Sequence, residues 1–183
     1  VLKTSQLAAI STLSISALTT DQMAALTEAQ VQSFAYATNL VAAMTTEQVQ
    51  LLTIGTPIIF DLNGDGVKTL SYSEGVRFDL FAQGQSVQTG WVSSGDGLLV
   101  LDRNRDGQIN DGSELFGSST MLANGSRAVD GYEALRELDT NKDGVIGQDD
   151  DGFSDLSVWV DHNSDGVSIP GEIKSLEALQ ITE

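Results

Sequence analysis

Four stretches of this chain share one pattern of side chains that could hold a hard cation. Each reads Asp-x-Asn-x-Asp-Gly, and they begin at Asp61, Asp102, Asp139 and Asp161. Ca²⁺ takes roughly six to eight oxygens at about 2.3–2.6 Å. A loop of about twelve residues supplies them from side chains at positions 1, 3 and 5, a carbonyl at 7, a group or water at 9, and a carboxylate at 12. Position 6 is Gly because the chain turns sharply there. One such motif is compatible with a solvated turn. Four in one chain point to a set of Ca²⁺ sites, one ion to each loop.

The fourth loop fits the pattern most fully. Asp161, Asn163 and Asp165 stand at positions 1, 3 and 5, the Val167 carbonyl at 7 and Glu172 at 12. Ser168 occupies position 8, where paired loops carry an apolar residue, and this argues against a sister loop. The third loop has Asp139, Asn141 and Asp143, the Val145 carbonyl and Asp150 at 12. Its position 9 is Gly147, so water is expected at that vertex. The second has Asp102, Asn104 and Asp106, then the Gln108 carbonyl, but Ser113 at position 12. Either the loop bulges by one residue so that Glu114 binds, or Asp111 contributes; Glu114 is the preferred reading. The first has Asp61, Asn63 and Asp65, the Val67 carbonyl, and Thr69 at position 9. Nothing local closes it, and Asp79 and Asp96 are the candidates for a distant carboxylate.

Other chemistry finds little support. The single His162 sits at loop position 2, which points outward, and there is no Cys. Hydrolytic triads, zinc catalysis and disulfides therefore have no footing. Trp91 and Trp159 read as core residues.

The elements that must position these loops can be read from the flanks. Residues 57–62 and 97–101 read as strands running into the first and second loops, and 157–160 as a short strand before the fourth. A helix over 132–138, with Asp130 as N-cap and Glu133 closing a capping box, enters the third loop. A further helix is read over 172–179. Residues 58–183 thus form a mixed α/β module cornered by EF-hand-like loops, and 55–57 is a junction. Before it, residues 1–54 contain neither Gly nor Pro. Thr19/Gln22, Thr27/Gln30 and Thr45/Gln48 each have capping-box spacing, which predicts a string of short helices. The overall class expected is α+β: helical repeats, then the calcium module.

The net charge is −17. It disfavours nucleic acid and anionic membranes as partners and favours cations. No apolar run approaches the roughly 18 residues of a membrane span. No signal-peptide pattern is read in residues 1–10. No protein partner can be named.

Several blocks are specific together: Phe60-Asp61-Leu62-Asn63-Gly64-Asp65-Gly66, Thr89-Gly90-Trp91-Val92, Asp96-Gly97-Leu98-Leu99-Val100, Gly112-Ser113-Glu114-Leu115-Phe116-Gly117, Val158-Trp159 and Glu172-Ile173-Lys174-Ser175-Leu176. Through them residues 57–181 resemble the calcium-dependent self-processing module of iron-regulated RTX (repeats-in-toxin) proteins of the FrpC type. The resemblance implies a bacterial secreted or surface protein, exported by type I secretion. It also implies a module that Ca²⁺ folds and that then cleaves an Asp-Pro bond at its start. In that chemistry the Asp carboxylate attacks its own carbonyl carbon, the proline nitrogen leaves, and a Lys amine can capture the anhydride. Here the matching bond is Thr56-Pro57, and the chain holds no Asp-Pro bond. Thr cannot form the anhydride, so no catalytic residue is assigned. The expectation is a calcium-folded module without self-cleavage. The alternatives are an autoproteolytic or transpeptidating module acting at or next to Thr56-Pro57, and an adhesin or spacer segment. The resemblance also implies an Asp-rich loop at Asp79, where Phe81 and Gln83 replace the carboxylates.

Overall fold

The computed structural model describes residues 10–19, 22, 23, 26, 30, 40, 43–45, 48 and 57–183. The chain divides into two compact units, Val1–Ile54 and Gly55–Glu183.

In the first unit α1 spans Thr12–Ile15, capped by the Ser11 side chain, which accepts from the Ser14 amide, and Gln22, Met23, Gln30, Leu40 and Gln48 are helical as well. Ile15 and Leu40 are buried, with Ile10, Leu18, Leu26, Ala43 and Met44 packed against them. Thr19 and Gln22 exchange hydrogen bonds between backbone amide and side-chain oxygen, and Thr45 and Gln48 do the same. The buried Gln48 amide also donates to the carbonyls of Ile15 and Leu18. Thr27 and most of the expected repeat helices lie outside the described residues.

The second unit is built on strands. A four-stranded antiparallel sheet has the order β1 (Ile59–Asp61), β6 (Asp96–Leu101), β7 (Leu156–Trp159), β8 (Ile173–Ser175). Two short ribbons flank it: β2 (Thr69–Leu70) with β5 (Trp91–Val92), and β3 (Val76–Phe78) with β4 (Val87–Thr89). Helix α2 spans Gly131–Arg136.

The sheet explains the sequence of β6. Gly97-Leu98-Leu99-Val100 is apolar without alternation because both faces of the strand are covered, as in any strand buried on two sides. Leu99 joins Phe116, Phe153, Leu156, Val158 and Leu176 on one side. Leu98 and Val100 join Phe78, Trp91, Leu115 and Trp159 on the other. The two-residue period of a strand makes this division automatic.

The expected α+β architecture of helical repeats followed by an EF-hand-like α/β module is therefore corrected. Among the described residues the named α-helices are the four-residue α1 and six-residue α2, and the rest of the regular structure is mostly strand. Strands lead into three of the four loops, so those loops lack a helix–loop–helix frame. The helix read over 172–179 is instead β8 followed by one 3-10 turn, Glu177–Leu179. Eight residues are too few to hold a helix on propensity alone. Here Ile173 and Lys174 gain a partner strand by pairing with Trp159 and Val158. α2 does enter the third loop. Asp130 accepts from the Glu133 amide and Glu133 from the Val129 amide.

Candidate metal centre

The four loops share one backbone. Position 6 is a left-handed Gly in each: Gly66 at φ 87°, Gly107 at 82°, Gly144 at 86° and Gly166 at 72°. An L side chain is strained there, which is why Gly recurs. Position 4 is left-handed too, in Gly64, Arg105, Lys142 and Ser164. The position-6 amide donates to Oδ2 of the position-1 Asp at 2.8 Å from Gly66, Gly107 and Gly166, and at 3.0 Å from Gly144. The position-5 amide donates to the position-3 Asn in all four.

Closure repeats as well in three loops. The Glu172 carboxylate accepts from the amides of His162 and Ile169, at positions 2 and 9. Asp150 accepts from Thr140 and Gly147, the same two positions. Glu114 accepts from Arg103 and Asn110, again positions 2 and 9, at 3.1 and 2.7 Å. Glu114 thus takes the closing place from one residue later than the pattern. Asp111 turns away to accept from Ser113. All three closing acids are buried.

The first loop closes differently. Asp96 stands opposite Asp61 in the β1–β6 register. Its Oδ2 accepts from the Lys68 amide and the Ser93 hydroxyl. Its Oδ1 is buried without a hydrogen-bond partner, and the residue is 0% exposed. An orphaned buried carboxylate oxygen facing a loop of acids is a donor that a cation would satisfy. Asp79, the other candidate, is engaged elsewhere: its carboxylate accepts from the amides of Gln83, Gly84 and Gln85. Thr69, read at position 9, lies in β2 opposite Val92. Val67, Val145 and Val167 are exposed at position 7.

Residues 79–84 are a fifth copy of the turn. Ala82 and Gly84 are left-handed at the equivalent positions, with φ 51° and 76°. The Asp79 carboxylate caps the turn as Asp61 does in the first loop, while Phe81 and Gln83 occupy the places of the other side-chain donors.

The electrostatics follow from these bonds. The Gly66 amide, with those of Gly64, Asn63 and Asp65, holds the Asp61 pKa below its ordinary 3.8. The Gly147, Thr140 and Asn141 amides do the same for Asp150. In the first loop the Lys68 ammonium lies on Asp65. Its pKa is raised by that hydrogen bond and by the charges of Asp65, Asp96 and Asp61.

Each loop offers oxygen donors, which suits a hard cation and not zinc. Among the described residues no three His, Cys, Asp or Glu side chains converge as a metal-binding group. The position-1 carboxylates accept from amides of their own loops, and that of Asp161 accepts from the Trp91 indole as well. His162 offers its backbone amide to Glu172.

Two residues acquire a role that spacing did not reveal. Trp91 and Trp159 are core residues, yet their indole N–H groups face the fourth loop. Trp91 Nε1 donates to Asp161 Oδ2 at 2.7 Å, and Trp159 Nε1 to Glu172 Oε2 at 3.4 Å. A buried indole N–H needs an acceptor, and that requirement was the available signal. Pro57 lines a small cavity with Leu80, Gly112, Leu115, Gly117 and Ser119. Thr56 lies outside the described residues. Among the described residues no helix is long and apolar enough to cross a membrane.

Comparison with known proteins adds two family matches and a relative. Residues 1–35 match the ALTTAQ repeat. The iron-regulated protein FrpA of Neisseria meningitidis serogroup C is 52% identical over 99 residues, 54% of this chain. The chain spans 9% of that protein's length. Residues 58–183, the whole strand-built module, match the SPM domain, and the chain belongs to the SPM domain family.

Proposed function

We propose that this chain is a calcium-folded segment of a larger secreted bacterial protein of the RTX type, taking one Ca²⁺ in each of the four Asp-x-Asn-x-Asp-Gly loops. The observation that carries the reading is the shared closure: Glu114, Asp150 and Glu172 each sit on the amides of loop positions 2 and 9. A closing acid held by both ends of its loop would fold over positions 1, 3 and 5 once a cation is taken up. The similarity to FrpA supports the RTX setting and export.

The mechanism follows from charge. At a net −17, clustered carboxylates repel one another and oppose closure. A hard cation supplies the compensating charge within a loop. The loop residues turn their oxygens inward, and the strands that end in the loops are drawn into register. Affinities of about 10⁻⁴–10⁻³ M, typical of extracellular modules, would leave the loops open in a low-calcium cytosol and close them outside the cell. Near-ultraviolet circular dichroism and thermal melting of the full chain, in EGTA and in millimolar Ca²⁺, test this. A large gain of fixed aromatic signal and of melting temperature is expected with Ca²⁺. Identical spectra and melts would overturn it.

Self-cleavage is not part of this reading, because Thr56 precedes Pro57. Incubation in Ca²⁺ followed by mass spectrometry should return the intact chain. A fragment ending at residue 55 or 56 would establish a cleaving module instead.

A further inference from the structure

Position 8 of the second loop is Ile109 and position 8 of the fourth is Ser168. They are 59 residues apart and in direct contact. The Ile109 amide donates to Ser168 Oγ at 2.6 Å, and Ser168 Oγ donates to the Ile109 carbonyl at 3.3 Å. Ile109 is 3% and Ser168 4% exposed. One hydroxyl therefore satisfies both backbone groups of a buried residue, each of which would otherwise be an orphan. The serine that argued against a sister loop is what joins two loops.

The place of this bridge matters. The residues just before it, Gln108 and Val167, hold the position-7 carbonyls. The residues just after it, Asn110 and Ile169, donate their amides to the closing acids Glu114 and Glu172. A path thus runs from one closing acid to the other: Glu114 to the Asn110 amide, along the chain to Ile109, across the Ser168 hydroxyl, and along the chain to the Ile169 amide and Glu172. The third loop has no such link: its position 8 is Ile146, which packs on the other hydrophobic cluster. The first has Lys68.

We propose that Ser168 couples the second and fourth loops, so that ordering either loop lowers the free energy needed to order the other. This rests on the calcium reading above. When the closing acid of one loop is fixed, its position-9 amide and position-8 backbone are fixed with it. The hydroxyl then holds the facing position 8 in the geometry its own loop requires. Two loops that share one rigid junction are ordered together, and the coupling is reciprocal.

The test follows the amide resonances of Gly107, Gly144 and Gly166 in the full chain during a CaCl₂ titration. Asp102→Ala disables the second loop. It is expected to move the Gly166 midpoint to at least about fivefold higher Ca²⁺, the lower bound of common couplings, with the Gly144 midpoint unmoved. In a Ser168→Ala background the same Asp102→Ala change is expected to leave the Gly166 midpoint where it is. In a Ser168→Thr background, which keeps the hydroxyl, the shift returns. In saturating CaCl₂, hydrogen exchange of the Ile109 amide is expected to quicken in Ser168→Ala and not in Ser168→Thr. An unmoved Gly166 midpoint in Asp102→Ala overturns the coupling, and this arm stands even if Ser168→Ala fails to fold. An undiminished shift in the Ser168→Ala background assigns the coupling to another contact and overturns the role of Ser168. If none of the glycine resonances responds to Ca²⁺ in the unmodified chain, it is the calcium reading that fails.

Discussion

Asp96→Asn separates a metal ligand from a structural carboxylate. Asp96 Oδ2 accepts from the Lys68 amide and the Ser93 hydroxyl, and an Asn carbonyl can keep both bonds. Oδ1 is buried with no donor. Such an orphan costs about 1–3 kcal/mol. Replacing it by a neutral amide removes a buried negative charge that stands opposite Asp61. Without Ca²⁺ the variant should be as stable as the parent or gain up to about 1 kcal/mol. With Ca²⁺ the order reverses. A site of about 10⁻⁴ M at about 1 mM Ca²⁺ contributes about 1.4 kcal/mol of stability; weakened tenfold, it contributes about 0.4 kcal/mol. The rise in stability on adding Ca²⁺ should therefore shrink by about 1 kcal/mol. Urea unfolding followed by tryptophan emission, in EGTA and in about 1 mM CaCl₂, measures both quantities. An unchanged calcium increment, or an equal loss of stability in both buffers, would show that Asp96 holds β1 and β6 together and binds nothing.

Trp91→Phe removes the indole donor from the fully buried Asp161. A lost hydrogen bond to a charged group predicts a loss of about 1.5–3 kcal/mol by urea unfolding in saturating CaCl₂, and a change below about 0.5 kcal/mol would show the bond to be idle. Lys68→Met removes the ammonium that lies on Asp65. The first loop, followed through the Gly66 amide, should then fill at severalfold lower Ca²⁺, and an unaltered or weaker midpoint would mean that the ammonium does not compete with the ion. Acid should remove one stabilising contribution from the calcium-free chain in a defined window. The folded pKa values of Asp61 and Asp150 lie below the ordinary 3.8. Their stabilisation is therefore complete above about pH 4 and is lost as pH falls through the folded values. Side-chain carboxyl resonances of Asp61 and Asp150 that titrate at or above the ordinary 3.8 would contradict this.

The loops were legible because their chemistry fixes their spacing: a turn at Gly needs its acids one and five residues earlier wherever it occurs. Glu114 could be favoured over Asp111 on the same ground. What the spacing could not carry was anything contributed by a distant strand. Asp96 reaches the first loop, at the Lys68 amide, only because β6 lies beside β1, and Asp96-Gly97-Leu98-Leu99 by itself is the start of a buried strand. The ribbons β2–β5 and β3–β4 were missed because two or three residues carry too little period to detect. Glu172 to Leu179 fits a helical turn and a strand equally well, and the exposed edge of β7 decided between them. Ser168 was read against the apolar residue that pairing loops prefer. Its hydroxyl does the pairing through hydrogen bonds, which a hydrophobicity rule cannot see.

The turn at Asp79 bears on what bound ions would contribute. It keeps the backbone of the other four while three amides from its own loop satisfy its single acid. The bend itself is thus within reach of an ordinary protein segment, with no outside help. On the calcium reading, a cation in the remaining loops would govern when the module closes and how firmly, while the path of the chain is already written into its turns. Such a module would serve as a delay line: a shape encoded at synthesis and released by the composition of the medium it enters.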